Sequence, residues 1–217
     1  MSEPIPQSRI ETYFRENNME GAFDAVYRNA RDHGRHIPWG DRQPATQLVE
    51  WADRHNLNGH GRRALVVGCG LGDDAEYLAI LGFAVTAFDI SPTAIELCQV
   101  RWTQSKVEYV VGDVTNLPSE WHNRFDFVLE SRTLQAMTWQ HTAPAIETIA
   151  ACVKPNGNLL LLCLGRNPED SKRGIPWALS REELGLFTKH GLIEVEFEEF
   201  LNTPRRFRVY YQKVGTP

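Results

Sequence analysis

Little in this chain marks it for a membrane, a nucleic acid or a structural metal. Its apolar runs, such as Leu159 to Leu164, fall far short of the roughly 20 residues that a spanning helix needs. No charged-then-apolar leader opens the sequence, so a soluble cytoplasmic protein is expected. Basic residues are outnumbered, with 23 Lys and Arg against 28 Asp and Glu and a formal charge of −5. That balance lacks the footprint of a general nucleic-acid binder. Cysteine is scarce: Cys69, Cys98, Cys152 and Cys163 include no Cys-x-x-Cys pair, so buried reduced thiols are expected. His33 and His36 flank a glycine with no third ligand nearby, and no metal is expected. Repeats and low-complexity tracts are also missing. What remains is 217 residues, 42% of them hydrophobic, enough for a single domain over 1–217 with a sizeable core.

The organising stretch is Arg63 to Asp74. An apolar, β-branched run ends in Gly68-Cys69-Gly70-Leu71-Gly72, and good helix formers follow. This spells a buried parallel strand, a tight turn and a helix start. Glycines here let a ligand lie against bare main chain, and the N–H groups at the helix start favour an acceptor or anionic group. A second strand, Ala84 to Asp89, ends in a carboxylate about 20 residues on, where doubly wound folds hold a ribose diol. A third, Val107 to Asp113, again ends in an acid. The pattern admits a dinucleotide or S-adenosylmethionine. Asp73 sits where a dinucleotide fingerprint wants Gly or Ala, and a carboxylate there repels a pyrophosphate but attracts a sulfonium. Asp73 and Asp74 therefore tilt the balance to the sulfonium cofactor, although both acids also simply suit a helix N-terminus.

Upstream, short amphipathic helices are expected over Arg9 to Asn17 and Met19 to Ala30, with Phe23, Val26, Tyr27 and Ala30 facing a core. Tyr13 and Phe14 suit packing better than closure over a ligand. Trp39, in a loop, can cap a ligand or merely pack. Pro44 is expected at the first position of a helix running to His55. Ser91-Pro92 caps a helix to Arg101. Phe125 to Glu130 is a fourth strand, and Ser131 to Met137 should line the reacting end of the cleft. Lys154 to Gly157 turns into a fifth strand, Leu159 to Leu164. Gly165 to Trp177 is polar and rich in Pro and Gly, so it reads as a mobile lid. Ser180 to Glu183 fits a capping box for a helix to His190. The tail alternates, with Ile193, Val195 and Phe197 on one side and Glu194, Glu196 and Glu198 on the other; after a turn at Thr203-Pro204 it pairs as a hairpin with Phe207 to Val214.

Together these stretches resemble the class I S-adenosylmethionine-dependent methyltransferases over nearly the whole chain. The likeness is closest to the branch of thiopurine, thiol, halide and tellurite methyltransferases. It is carried by Val67 to Asp74, with an acid two residues past the last glycine, by Phe88 to Ile95, by Gly112-Asp113, and by Val153 to Gly157. Val66 is apolar, as in that branch. Pro38 to Asp41 followed by Pro44 is a looser match to its N-terminal segment. The resemblance implies a doubly wound α/β fold: a mainly parallel seven-stranded sheet with one antiparallel strand. Its core would span 61–217, with N-terminal helices in 1–60 covering the cofactor edge.

The resemblance also implies in-line methyl transfer to a small-molecule nucleophile, where alignment alone can supply ~7–11 kcal/mol of barrier lowering. A thiol or related soft acceptor leads on the branch likeness; oxygen or nitrogen of a small metabolite stays open. So do a non-catalytic cofactor-binding module and a dinucleotide oxidoreductase. The cofactor contacts it implies are Trp39, Gly68, Cys69, Gly70, Gly72, Asp73, Asp74, Asp89, Ile90, Ser91, Asp113, Val114 and Glu130. In that set Asp89 accepts ribose hydroxyls, Asp113 and Val114 meet adenine, and Glu130 borders the methionyl end. Trp39, Arg132, Gln135 and Trp177 are the candidates on the acceptor side. Glu130-Ser131-Arg132-Thr133 is not the Asp/Asn-Pro-Pro-aromatic motif of amino-nitrogen nucleic-acid enzymes. No Pro-Cys nucleophile and no Mg²⁺ cluster is present either, which again favours a small acceptor.

Overall fold

Apolar runs too short for a helix and bounded by glycine or acid become strands here, because only a sheet buried on both faces satisfies them. The computed structural model describes residues 3–170, 176–201 and 204–215. The parallel strands are β1 (Arg63–Val67), β2 (Ala84–Asp89), β3 (Glu108–Val111), β4 (Phe125–Ser131) and β5 (Val153–Arg166). A two-residue strand β6 (Leu179–Ser180) adds to β5, and β7 (Leu192–Phe200) and β8 (Arg206–Lys213) complete the tail. The main path runs β3-β2-β1-β4-β5-β8-β7, with β8 antiparallel to both neighbours. That is the expected seven-stranded sheet with one reversed strand. The chain winds outward from β1 through β2 and β3, then returns to β4 on β1's other side. Strand order reverses there, and a crevice opens at the carboxyl ends of β1 and β4.

Helices cover both faces. On one lie α3 (Thr46–Arg54), α4 (Asp73–Ile80) and α5 (Pro92–Arg101), whose Leu48, Trp51, Leu78 and Ile95 pack on Val66, Phe127 and Leu160. On the other lie α6 (Trp139–Cys152) and α7 (Arg181–Leu184), with Ile146, Ile149 and Phe187 against Leu65, Val128 and Leu161. Each such fully buried aliphatic or aromatic side chain is worth about 1.5–3 kcal/mol relative to exposure. A smaller cluster joins α2 (Met19–His33) to α5 through Tyr27, Ile37 and Ala94. Together with α1 (Gln7–Arg15), α2 roofs the carboxyl edge of β1 and β2. All four cysteines are buried and free. No helix among the described residues is long and apolar enough to cross a membrane.

Several local expectations shift. α2 runs on to His33 because Gly34, at φ 62°, supplies the left-handed stop. α3 starts at Thr46 rather than Pro44. The capping box at Ser180 and Glu183 forms, but the α-helix lasts one turn before tightening to a 3₁₀ helix over Gly185–His190. The Lys154–Gly157 turn is absorbed into the start of β5, with Asn156 held at φ 62° and a register break opposite Phe125 and Phe127. In β7 the glutamates are the tethered face. Glu194 pairs with Arg181, Glu196 with Arg54 and His55, and Glu198 with Arg54 and Arg208. Ile193 and Val195 are exposed instead, and a bulge between Glu194 and Glu196 breaks the alternation before Phe197. The lid expected over 165–177 lies partly outside the described residues, as does the turn at Thr203.

Candidate active site

The crevice is a cleft of about 620 Å³ between the glycine turn and the α1–α2 roof. Its floor is the turn after β1. Gly68 and Gly70 hold φ 60° and 56°, which L side chains rarely adopt. A Cβ on Gly68 would meet Thr133 Oγ1 at 2.2 Å, so the turn is closed by direct contact with the segment after β4. Gly72, at φ 85°, lies off the cleft: its bare face is filled by Tyr109, whose Oη donates to Glu76.

Asp89 closes one wall. Its carboxylate accepts from Gly70 N at 2.9 Å and Ser91 N at 3.0 Å, tying the end of β2 to the glycine turn. Burial, only partly offset by these N–H donors, pushes the carboxyl up to about 6. Each oxygen retains a further lone pair, so a diol can still be bound. Asp113 also faces the cleft: one of its oxygens accepts from Thr115 N and Oγ1 at 2.8 Å. Val114, Ile90 and Cys69 line the wall between them. A hydrogen bond with the neighbouring Cys98 thiol, together with burial, holds the Cys69 thiol well above its ordinary value, so it is a neutral lining group.

The acids after the glycines do other work. Both oxygens of Asp73 are held by Arg101, at 2.6 and 2.7 Å. Its charge is therefore balanced by a fork-like ion pair, which corrects the idea of an open counter-charge for a sulfonium. Asp74 accepts from Ala45 N at 2.7 Å, pinning the start of α3 to the start of α4. Desolvation raises its carboxyl, although Ala45 N and Arg132 oppose the rise.

Asp73 and Asp74 nevertheless line the cleft; of four other candidates, three lie off it. Ser91 is fully buried as the α5 N-cap, accepting from Ala94 N and donating to Asp24 on α2. Glu130, 0% exposed, does not reach the cleft. Its Oε1 accepts from Thr133 N at 2.6 Å and Leu134 N at 2.9 Å, while Oε2 has no partner. Burial pushes this carboxyl up to about 7. Trp177 donates its indole N–H to the Met137 carbonyl and packs outside the cleft. Gln135 does line it, but its Oε1 is committed to Leu164 N at 2.6 Å.

Trp39 and Arg132 do face the cleft. Trp39 Nε1 donates to Tyr27 Oη at 2.8 Å, and its ring packs edge-on to Phe23. Tyr27 Oη in turn stands 3.2 Å from where a Cβ on Gly70 would lie. Tyr27 was read from helical spacing as core, and its tertiary contacts make it also a cleft residue. Phe14, from α1, reaches the wall too. His141 was passed over because one histidine in a helix carries no signal. It lines the cleft within a closed ring of bonds: Thr138 Oγ1 donates to Asn17 Oδ1 at 3.0 Å, and His141 contacts Thr138 at 2.8 Å and Asn17 at 3.4 Å. These bonds assign the proton to Nδ1 and leave Nε2 as the acceptor. Among the described residues there is no cluster of three or more His, Cys, Asp or Glu able to hold a metal.

A glycine turn at a strand-order switch, with an acid at each of the next two strand ends, fits S-adenosylmethionine. The fold is that of the class I S-adenosylmethionine-dependent methyltransferases, and residues 64–157 match a family model described as "Methyltransferase domain". Among curated proteins, the chain is 32% identical over 144 residues to a ubiquinone biosynthesis O-methyltransferase of Azotobacter vinelandii, covering 60% of each chain. Relatives of the same name in Xanthomonas campestris are 35% identical over 113 residues, covering 50% of this chain and 45% of theirs. The chain thus spans about half the length of the curated relatives it matches. The branch expected from the motifs, of thiopurine and tellurite enzymes, is not the one these names carry. Among solved structures, a Burkholderia thailandensis 1,6-didemethyltoxoflavin N1-methyltransferase with S-adenosylhomocysteine aligns with TM-score 0.70 at 18% identity, over 99% of this chain and 93% of that one. S-adenosylmethionine is the cofactor that goes with this domain.

Proposed function

We propose that this protein transfers the methyl group of S-adenosylmethionine to an oxygen of a small organic molecule. The carrying observation is the cleft itself. Its donor half is built from Gly68, Gly70, Asp89 and Asp113, and its other half from apolar groups of α1 and α2 beside His141. When bound, the cofactor supplies a methyl group on a cationic sulfur. Asp89 would accept the ribose hydroxyls, Asp113 with Val114 would border the adenine, and Trp39 with Tyr27 would cover the glycine turn. Ile10, Phe14 and Phe23 would exclude water and hold a flat or apolar acceptor. A hydroxyl acceptor must lose a proton as it is methylated, and His141 Nε2, held only by the long 3.4 Å contact to Asn17, is the nitrogen on the wall that could take it.

The O-methyltransferase names of the curated relatives support oxygen over the soft acceptor suggested by the branch motifs. Calorimetry with S-adenosylhomocysteine, S-adenosylmethionine and NAD tests the donor. The first two should bind, and binding of NAD alone would overturn the assignment. A labelled methyl-donor screen over phenols, aliphatic alcohols, amines and thiols tests the acceptor. Transfer to thiols but to no hydroxyl would refute oxygen, and transfer to nothing would leave a cofactor-binding module as the better account.

A further inference from the structure

A second hollow, of about 330 Å³, opens beside the donor cleft at the carboxyl ends of β4 and β5, under the start of α3. Asp41, Gln43, Ser131 and Arg132 line both spaces, so one ligand can lie across the two. Several features make the hollow receptive to negative charge. Arg206, on β8, lines it, and among the described residues its guanidinium has no hydrogen bond or ion pair. Arg132 keeps a single ion pair, to the exposed Asp41 at 3.2 Å. Its backbone is held at φ 69°, a conformation that non-glycine residues adopt uncommonly and arginine less readily than asparagine. The N-cap of α3 makes no side-chain hydrogen bond, and Thr46 and Gln47 bring two unsatisfied N–H groups to the wall, while Ala45 N is taken by Asp74.

Two acids share this wall. Asp41 pairs with Arg132 at 3.2 Å, and Glu50 stands 3.8 Å from Arg208, whose closer partner is Glu198 at 2.5 Å; neither acid makes an ion pair with Arg206. Leu162, Phe200 and Phe207 supply apolar surface around it. A guanidinium without an ion pair at the end of an apolar hollow suits one carboxylate on an organic body.

We propose that this hollow holds the carboxylate of the methyl acceptor, with Arg206 and Arg132 as its counter-ions, while the acceptor's hydroxyl reaches into the donor cleft. The acceptor class is then a small hydroxylated carboxylic acid; this assignment rests on the methyl-transfer function proposed above. The test is calorimetry on the full chain with S-adenosylhomocysteine present, using hydroxybenzoates and hydroxycinnamates, each beside its methyl ester. At least one acid should bind roughly tenfold or more tightly than its ester. Arg206→Gln should erase that preference without weakening the ester, and Arg206→Lys should restore part of it. The Arg206 side chain makes no hydrogen bond or ion pair among the described residues, so the variants should melt with the native protein. No acid preferred over its ester, or a preference that survives in Arg206→Gln, overturns the assignment. The two failures separate on the same samples. If S-adenosylhomocysteine does not bind, methyl transfer and the acceptor class fall together; if it binds and the acid preference is missing, only the hollow's role falls.

Discussion

Replacing Glu130 with glutamine should make the protein more stable at alkaline pH than at acid pH, relative to the native chain. Glu130 is fully buried, with Oε1 bound to the Thr133 and Leu134 amides and Oε2 without a partner. Burial raises its carboxyl from 4.5 to about 7 in the fold. Because the folded pKa is the higher one, the folded state holds a proton that the unfolded chain has released between those values. The contribution of Glu130 to stability is therefore complete below about 4.5 and is lost as pH rises through about 7. The loss is roughly 1.4 kcal/mol per unit across that window, or about 3 kcal/mol in all. Glu130→Gln keeps the Oε1 acceptor and carries no charge, so it escapes the loss. Urea unfolding of both proteins, without ligand, at intervals from pH 5 to 8.5 measures the difference. Asp89 titrates in both and cancels, while the Cys163 thiol, pushed up by burial and by Glu130, stays neutral. At pH 8 the variant should gain about 3 kcal/mol relative to its offset at the acid end, or ~6–12 °C in melting temperature. A pH-independent difference, or one that favours the native protein as pH rises, would show that Glu130 is not held in a dry site.

Further expectations follow from single contacts. Asp89→Asn should weaken S-adenosylhomocysteine binding by roughly tenfold or more for each charge-assisted bond lost. Native affinity should rise as pH passes about 6, because hydroxyl donors need the ionised carboxylate; a flat profile by calorimetry contradicts this. Asp73→Asn should cost stability, about 1–3 kcal/mol by urea unfolding, more than donor affinity, since its carboxylate is engaged by Arg101; the reverse outcome would restore it as a ligand group. His141→Ala should lower turnover of a hydroxyl acceptor by ~10²–10⁴, whereas Asn17→Ala, which breaks only the ring of bonds, should lower it far less. Equal losses would make His141 a latch rather than a base. Gly68→Ala should destabilise the fold by more than about 1 kcal/mol, because the added Cβ meets Thr133 at 2.2 Å in a left-handed turn; unchanged melting would contradict the close approach.

The glycine-turn half of the cleft could be read from the chain because its signals are local. Strand, glycine turn, helix and terminal acid lie within a few dozen residues of one another, and backbone geometry translates that spacing directly into position. Asp89, Asp113, Gly68 and Gly70 were therefore legible as residues that line the cleft, and so was the winding of the sheet, which follows from alternating strands and helices. The partners of the acids were not. Asp73 looks the same in sequence whether it faces a ligand or Arg101, 28 residues away. Glu130 and Trp177 sit at the right places along the chain, but Glu130 is turned into the interior and the Trp177 indole is bound to the Met137 carbonyl away from the cleft.

The acceptor side was least legible, since it is assembled from distant segments. Asn17, Thr138 and His141 meet only when the turn between α1 and α2 comes against the start of α6. Arg132 and Arg206 meet one hollow only because β8 pairs antiparallel with β5. By itself, then, the sequence determined the strand-turn-helix grammar and the cofactor class, because short-range periodicity and backbone sterics suffice for both. Tertiary structure alone decided which charges stay unpaired at the cleft, because pairing depends on side chains brought together from far along the chain.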